Sequence, residues 1–129
     1  MPAVDTNIVV RFLTRDHLDQ FARAERVFMD RGVWIAKTVL LETEWVLRST
    51  YKYSPQAMHD ALTELLGLPG VEVEDSAEVA RALDWFAAGL DFADALHLAS
   101  RPDGARFVTF DEALARQARR VGIAAVAAV

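Results

Sequence analysis

A chain of 129 residues with 53% hydrophobic and 26% charged side chains has the size and balance of one domain around one core, spanning residues 1–129. The absence of cysteine excludes a disulfide framework and any thiolate metal site, and fits a reducing, cytoplasmic setting. A net charge of −5, with two lysines against twelve arginines, excludes a global basic footprint, so any RNA must be met by a local arginine patch or through metal ions. The first residues hold no leader pattern, and no apolar run approaches the roughly 18 residues of a membrane span, so a soluble protein is expected.

In chain order, Pro2–Asp5 reads as a short strand ending on an acid, followed by a short helix over Ile8–Leu13 capped by Asp5 or Thr6. Leu18, Phe21, Ala22, Ala24, Val27 and Phe28 recur at helical spacing from His17 to about Asp30, and Gly32 closes that segment. Val33–Ala36 has the length of an interior strand. A third helix, capped by Thr38, runs to about Tyr51, and Ser54-Pro55 opens a fourth that ends at Gly67–Gly70. Val71–Val73 is a strand, and Ser76 caps a fifth helix with the stripe Val79, Ala80, Leu83 and Phe86-Ala87, stopped by Gly89. Asp91–Ser100 is a sixth helix, Phe107–Thr109 a strand, Asp111 to about Val121 a seventh helix, and Ile123–Val126 a last strand. Five short strands separated by helices cannot pair as hairpins. They imply an α/β fold with one mostly parallel five-stranded sheet covered by helices on both faces. Ligands bind such sheets beyond the strand carboxyl ends, where Asp5 and Asp111 both fall.

Each acid has a plain structural reading. Asp5 and Asp111 suit helix N-caps, as does Asp91, with Asp94 favourably placed near the same helix dipole. Glu44 has Arg48 at i+4, the favoured order for a surface ion pair. Glu42 differs, because residues two apart on a helix point about 200° apart. Its face carries Thr38, Val39, Trp45 and Val46 with no basic partner within a turn, so it is expected to be desolvated and to seek a proton or a cation. Asp94, with Leu90 and Leu98 four residues to either side, is the better ligand of the Asp91/Asp94 pair.

Gathering Asp5, Glu42, Asp94 and Asp111 at one place requires a cation. Two carboxylates about 4 Å apart repel by roughly 4 kcal/mol at an effective dielectric near 20. Hard oxygen ligands favour Mg²⁺ or Mn²⁺ over zinc, and such ions support in-line hydrolysis of a phosphodiester.

Asp5-Thr6-Asn7, Leu40-Leu41-Glu42, Asp91-Phe92-Ala93-Asp94-Ala95-Leu96 and Val108-Thr109-Phe110-Asp111 together resemble the PIN-domain ribonucleases, and within them the VapC-type toxins of toxin–antitoxin pairs. The likeness covers essentially the whole chain; each motif is weak alone, and four in order are specific. It implies a three-layer α/β/α sandwich, an Mg²⁺- or Mn²⁺-dependent endoribonuclease, a homodimer, and inhibition by a cognate VapB-type antitoxin through which alone operator DNA is bound. By position, Asp5 and Asp94 become direct metal ligands, and Glu42 and Asp111 hold metal-bound waters or a second ion. Thr6, Asn7 and Thr109 match supporting polar residues. Thr109 is open to bonding Asp5, a ligated water, or its own strand end.

The three histidines, His17, His59 and His97, show no ligand spacing, although His97 lies at i+3 from Asp94. Trp34, Trp45 and Trp85 read as core or dimer positions, and Met29 and Met58 as gap-fillers. Arg11 and Arg15 are candidates to meet RNA phosphates, against a solvated helix face; Arg116, Arg119 and Arg120 read as exposed surface. A dehalogenase-like phosphatase wants a second acid where Asn7 stands, and a receiver domain wants a late lysine, yet the only lysines are Lys37 and Lys52. A solitary PIN nuclease in RNA processing and a non-catalytic α/β interaction module, with its acids merely capping helices, are the remaining readings.

Overall fold

Asp5 ends the extended entry of the chain and starts its first helix, α1 (Thr6–Thr14), by accepting the Ile8 backbone N–H at 3.1 Å. The computed structural model describes every residue from Met1 to Val129 and divides into two compact units, Met1–Ser76 and Ala77–Val129.

In the first unit, α1 is followed by α2 (Leu18–Arg31), β1 (Val33–Ile35), α3 (Lys37–Ser49), α4 (Pro55–Gly67) and β2 (Val71–Val73). α1 packs on α2 through Phe12, whose ring stacks on Phe28 at 4.1 Å between centroids. Val9, Leu40, Leu47, Met58, Leu62 and Leu65 are almost wholly buried and form the core. β1 pairs in parallel with β2 in the register Val33↔Val71, Trp34↔Glu72, Ile35↔Val73. On its other edge β1 holds the entry segment: Trp34 N–H donates to the Pro2 carbonyl at 2.8 Å and Val4 N–H to the Trp34 carbonyl at 3.2 Å. This places Asp5 at the carboxyl end of an extended segment, as expected, although the ladder amounts to one bridge, Ala3↔Trp34.

The pairing of β1 with β2 depends on Gly32. Its φ is +77°, and a Cβ there would meet the Gly70 carbonyl oxygen at 2.2 Å, the same oxygen that accepts Val33 N–H at 2.9 Å. Glycine at both Gly32 and Gly70 lets the two backbones approach this closely.

The second unit is built from α5 (Ser76–Ala87, beginning at the last residue of the first unit), α6 (Phe92–Ala99), β3 (Phe107–Thr109), α7 (Glu112–Arg120) and β4 (Val126–Ala128). β3 and β4 pair in parallel in the register Phe107↔Val126, Val108↔Ala127, Thr109↔Ala128. Phe92, Ala95, Leu96, Leu98 and Ala99 make α6 apolar on most of its surface, as a buried helix requires. Arg101 ties the loops together by donating to the carbonyls of Ala105, Ala124 and Ala125.

The fold is α/β with seven helices and only parallel strand pairs, but the five-stranded sheet is not formed: the strands make two sheets of two. Three-residue strands carry few ladder bonds, and the expected final strand at 123–126 begins later. Ile123 N–H is committed to the Ala118 carbonyl at 2.9 Å, and Ala125 turns at φ +59°, so extension begins only at Val126. Two expected caps also differ. α3 starts at Lys37 rather than behind Thr38, because Glu74 reaches across from the end of β2 and accepts Lys37 N–H at 2.9 Å. Ser76 is the first residue of α5 itself, and the buried stripe of that helix is Val79, Ala82 and Leu83, with Ala80 exposed.

Candidate functional site

In the first unit the structure brings together Thr6, which follows Asp5 directly, and Glu42. The Thr6 hydroxyl donates to Glu42 Oε1, joining the first residue of α1 to the middle of α3. Asp5 spends Oδ1 on the Ile8 cap, leaving its second oxygen uncommitted. Capping and ligation are therefore compatible at this residue. Asn7 is exposed and shares a cavity with Asp5.

The two acids of α3 exchange their expected surroundings. Glu42 is exposed, and Glu44 is only 3% exposed, held by Arg48 Nε at 2.9 Å. The buried face of α3 is Leu40, Thr43, Glu44 and Leu47, an i, i+3, i+4, i+7 stripe with polar residues at two of its four positions. The Glu44–Arg48 pair exists as the sequence suggests, but its carboxylate lies inside rather than at the surface. Glu42 faces outward with Trp45, which is 57% exposed, so of the two roles expected for that ring, core or dimer contact, the core role is excluded. Thr43 is fully buried and its hydroxyl has no hydrogen-bond partner.

In the second unit Asp91 caps α6, its Oδ2 accepting Asp94 N–H at 3.1 Å. Asp94 sits half-buried in the first turn, and its carboxyl is raised above the usual 3.8 first by desolvation and then by repulsion from Asp91, while His97 one turn on opposes the rise and Asp111 adds to it. Asp91, Asp94 and Asp111 are thus coupled electrostatically, and His97 belongs to their surroundings; its i+3 spacing from Asp94 was the only sequence signal for it. Asp111 caps α7 through Leu114 N–H at 3.0 Å, and the Thr109 hydroxyl accepts Asp111 N–H at 2.9 Å. Of the roles open to Thr109, the strand-end turn is the one formed.

Arg11 is half-buried and tied at two of its nitrogens rather than free in solvent. Its Nε donates to Gln20 Oε1 at 2.6 Å, and its Nη1 meets Asp16 at 3.1 Å and the Tyr51 hydroxyl at 3.0 Å. Arg15 ends α1 at φ +55° with its guanidinium 4.8 Å from the centre of the Phe21 ring. His17 caps α2 by accepting Gln20 N–H at Nδ1. Met29, 79% exposed, fills no gap, whereas Met58 is buried.

No three His, Asp or Glu side chains form a preassembled cage for a metal ion. The donor chemistry nonetheless fits a hard divalent cation: the groups are carboxylates with hydroxyl neighbours, and the repulsion felt by Asp94 is of the kind such a cation relieves.

The family is explicit in the sequence: residues 3–120 match the PIN domain, and the chain belongs to that family. PIN domains are typically nucleases and generally use divalent metal ions. No curated protein and no solved structure matches the chain. No helix is long and apolar enough to cross a membrane.

Proposed function

We propose that this PIN-domain protein is an Mg²⁺- or Mn²⁺-dependent endoribonuclease, the toxin of a VapBC-type pair, acting as a cytoplasmic homodimer restrained by a small cognate antitoxin. The observation that carries the catalytic part is Asp94: a half-buried carboxyl, raised by desolvation and by the charges of Asp91 and Asp111, in a chain of a nuclease family. Catalytic work is assigned to Asp5 and Glu42 in the first unit and to Asp94 and Asp111 in the second. Asp5 and Asp94 are each assigned as direct metal ligands, and Glu42 and Asp111 as holders of metal-bound water. When bound, the ion supplies charge to polarise the phosphodiester and lower the pKa of water.

The chain's own residues do the rest. Thr6 fixes one Glu42 oxygen and leaves the other to accept a proton or a hydrogen bond from water. Asp91 holds the first turn of α6 and so sets the position of Asp94. The Thr109 hydroxyl fixes the backbone at Asp111.

The test is RNA cleavage by wild type and by Asp5→Asn and Asp94→Asn, each checked for native circular dichroism. The proposal expects folded variants at least 100-fold slower; full activity in either contradicts it. For the toxin reading, the gene directly upstream should encode a small protein with a DNA-binding N-terminus that copurifies with this chain and silences it. Cleavage without such a partner would leave a solitary PIN nuclease.

A further inference from the structure

An open cavity of about 320 Å³ beside Asp5 is lined by Asp5, Asn7, Ile8, Arg11, Gln20, Arg23 and Val27. That size is at the lower end of small-molecule sites. Arg11 is fixed there on two of its three nitrogens: Nε by Gln20, and Nη1 by Asp16 and the Tyr51 hydroxyl. Its Nη2 makes no hydrogen bond. Because Gln20 gives its oxygen to Arg11, its amide nitrogen is likewise left as a donor. Arg23 is tied only to Asp19, at 3.4 Å, with both side chains mostly in water, a pair too weak to hold it from another anion.

The anchoring of Arg11 is itself well built. Asp16 accepts from the Thr14 hydroxyl at 2.8 Å and from the Tyr51 hydroxyl at 2.8 Å while pairing with Arg11. The Tyr51 and Thr14 bonds lead in holding the Asp16 carboxyl below its usual range. A guanidinium ordered in advance loses little freedom when it meets a ligand. With Nε and Nη1 already used, Arg11 cannot offer the two-pronged fork that reads a guanine edge. What remains suits a phosphate oxygen.

We propose that this cavity is a phosphate subsite for single-stranded RNA, in which Arg11 Nη2 and Arg23 hold a backbone phosphate close to Asp5, with the Gln20 and Asn7 amides supplying hydrogen bonds to the same nucleotide. The inference rests on the nuclease reading and extends it from the acids to the strand they act on. Asp16 and Tyr51 are positioning residues, acting through Arg11, whereas Gln20 both holds Arg11 through its oxygen and meets the nucleotide through its amide nitrogen.

The experiment measures fluorescence anisotropy of a labelled random-sequence single-stranded RNA, kept intact by excess EDTA because the cleavage is metal-dependent, against wild type, Arg11→Gln, Arg23→Gln and Asp16→Asn across a salt series. Arg31→Gln serves as the charge control, eight residues and about 12 Å further along α2. Arg11→Gln and Arg23→Gln should each weaken binding about ten-fold, and each should flatten the plot of log affinity against log salt by roughly 0.7. In cleavage of bulk RNA the loss should fall on KM more than on kcat. Asp16→Asn should weaken binding with less change in salt slope, since the lost charge does not touch RNA. Arg31→Gln should move affinity less than two-fold. If Arg11→Gln does not fold, Arg23→Gln, on an exposed side chain, carries the test.

Arg23→Gln and folded Arg11→Gln binding like Arg31→Gln would overturn the subsite while wild-type cleavage still stood. Wild type that neither binds nor cuts RNA would overturn the nuclease reading together with the subsite. An acidic peptide that binds with the same arginine dependence, where the oligonucleotide does not bind, would assign the cavity to a protein partner and overturn the proposal.

Discussion

Replacing Arg48 by methionine separates the two acids of α3 more sharply than any change at the acids themselves. Glu44 is 3% exposed, and its carboxylate faces Arg48 through Nε at 2.9 Å and Nη2 at 3.4 Å. Removing one partner of a fully buried pair typically costs about 3–5 kcal/mol, because the other charge is left desolvated. Arg48 is itself 52% exposed, so water reaches one side of the pair and the cost falls to roughly half, about 2 kcal/mol. For a chain of this length that corresponds to a Tm lower by about 6–10 °C. Urea unfolding of Arg48→Met at pH 7 measures it, with the folded fraction still cleaving RNA. Glu42→Gln should do the reverse: stability within about 0.5 kcal/mol of wild type and cleavage lost. Arg48→Met within 0.5 kcal/mol of wild type would refute the burial of Glu44. A Glu42→Gln enzyme at full activity would refute the division of labour.

Gly32→Ala should destabilise by about 3–5 kcal/mol and loosen Asp5, because a left-handed residue gains a side chain 2.2 Å from the Gly70 oxygen; a circular dichroism melt reads it. Asp94 titrates above the usual carboxylate value, so its contribution to stability is fully present below about 3.8 and is lost as pH rises through its raised folded pKa. Asp111→Asn should bring that pKa down, as followed by the Asp94 carboxyl chemical shift. Asp16 has the opposite sign: its contribution is present above about 3.8 and is lost as pH falls through its lowered folded pKa. Tyr51→Phe removes the first cause of that lowering and should move the Asp16 midpoint upward in the same titration.

The helices were largely legible because their start signals are local. Asp5, Ser54, Asp91 and Asp111 cap their helices through their own side chains, and each is readable within a few residues. Elements set by distant partners were not. The start of α3 depends on Glu74, 37 residues away, which no window around Thr38 contains. The burial of Glu44 is not legible locally, because the inward stripe of α3 includes a threonine and a glutamate while the apolar residues around Glu42 lie off that stripe. The late start of β4 reflects a turn at Ala125 with nothing distinctive in its sequence. At the candidate site, the acids and the Thr109 strand-end role could be named from sequence, but the Thr6–Glu42 bond and the Arg11–Asp16–Tyr51 network join residues 36 and 35 positions apart and required the fold.

The most direct test of the central claim is cleavage of single-stranded RNA by purified wild type in Mn²⁺ or Mg²⁺ and in excess EDTA, beside Asp5→Asn prepared identically. Cleavage that needs the metal and vanishes in Asp5→Asn is the expected result. Equal cleavage in EDTA, or by Asp5→Asn, would contradict it.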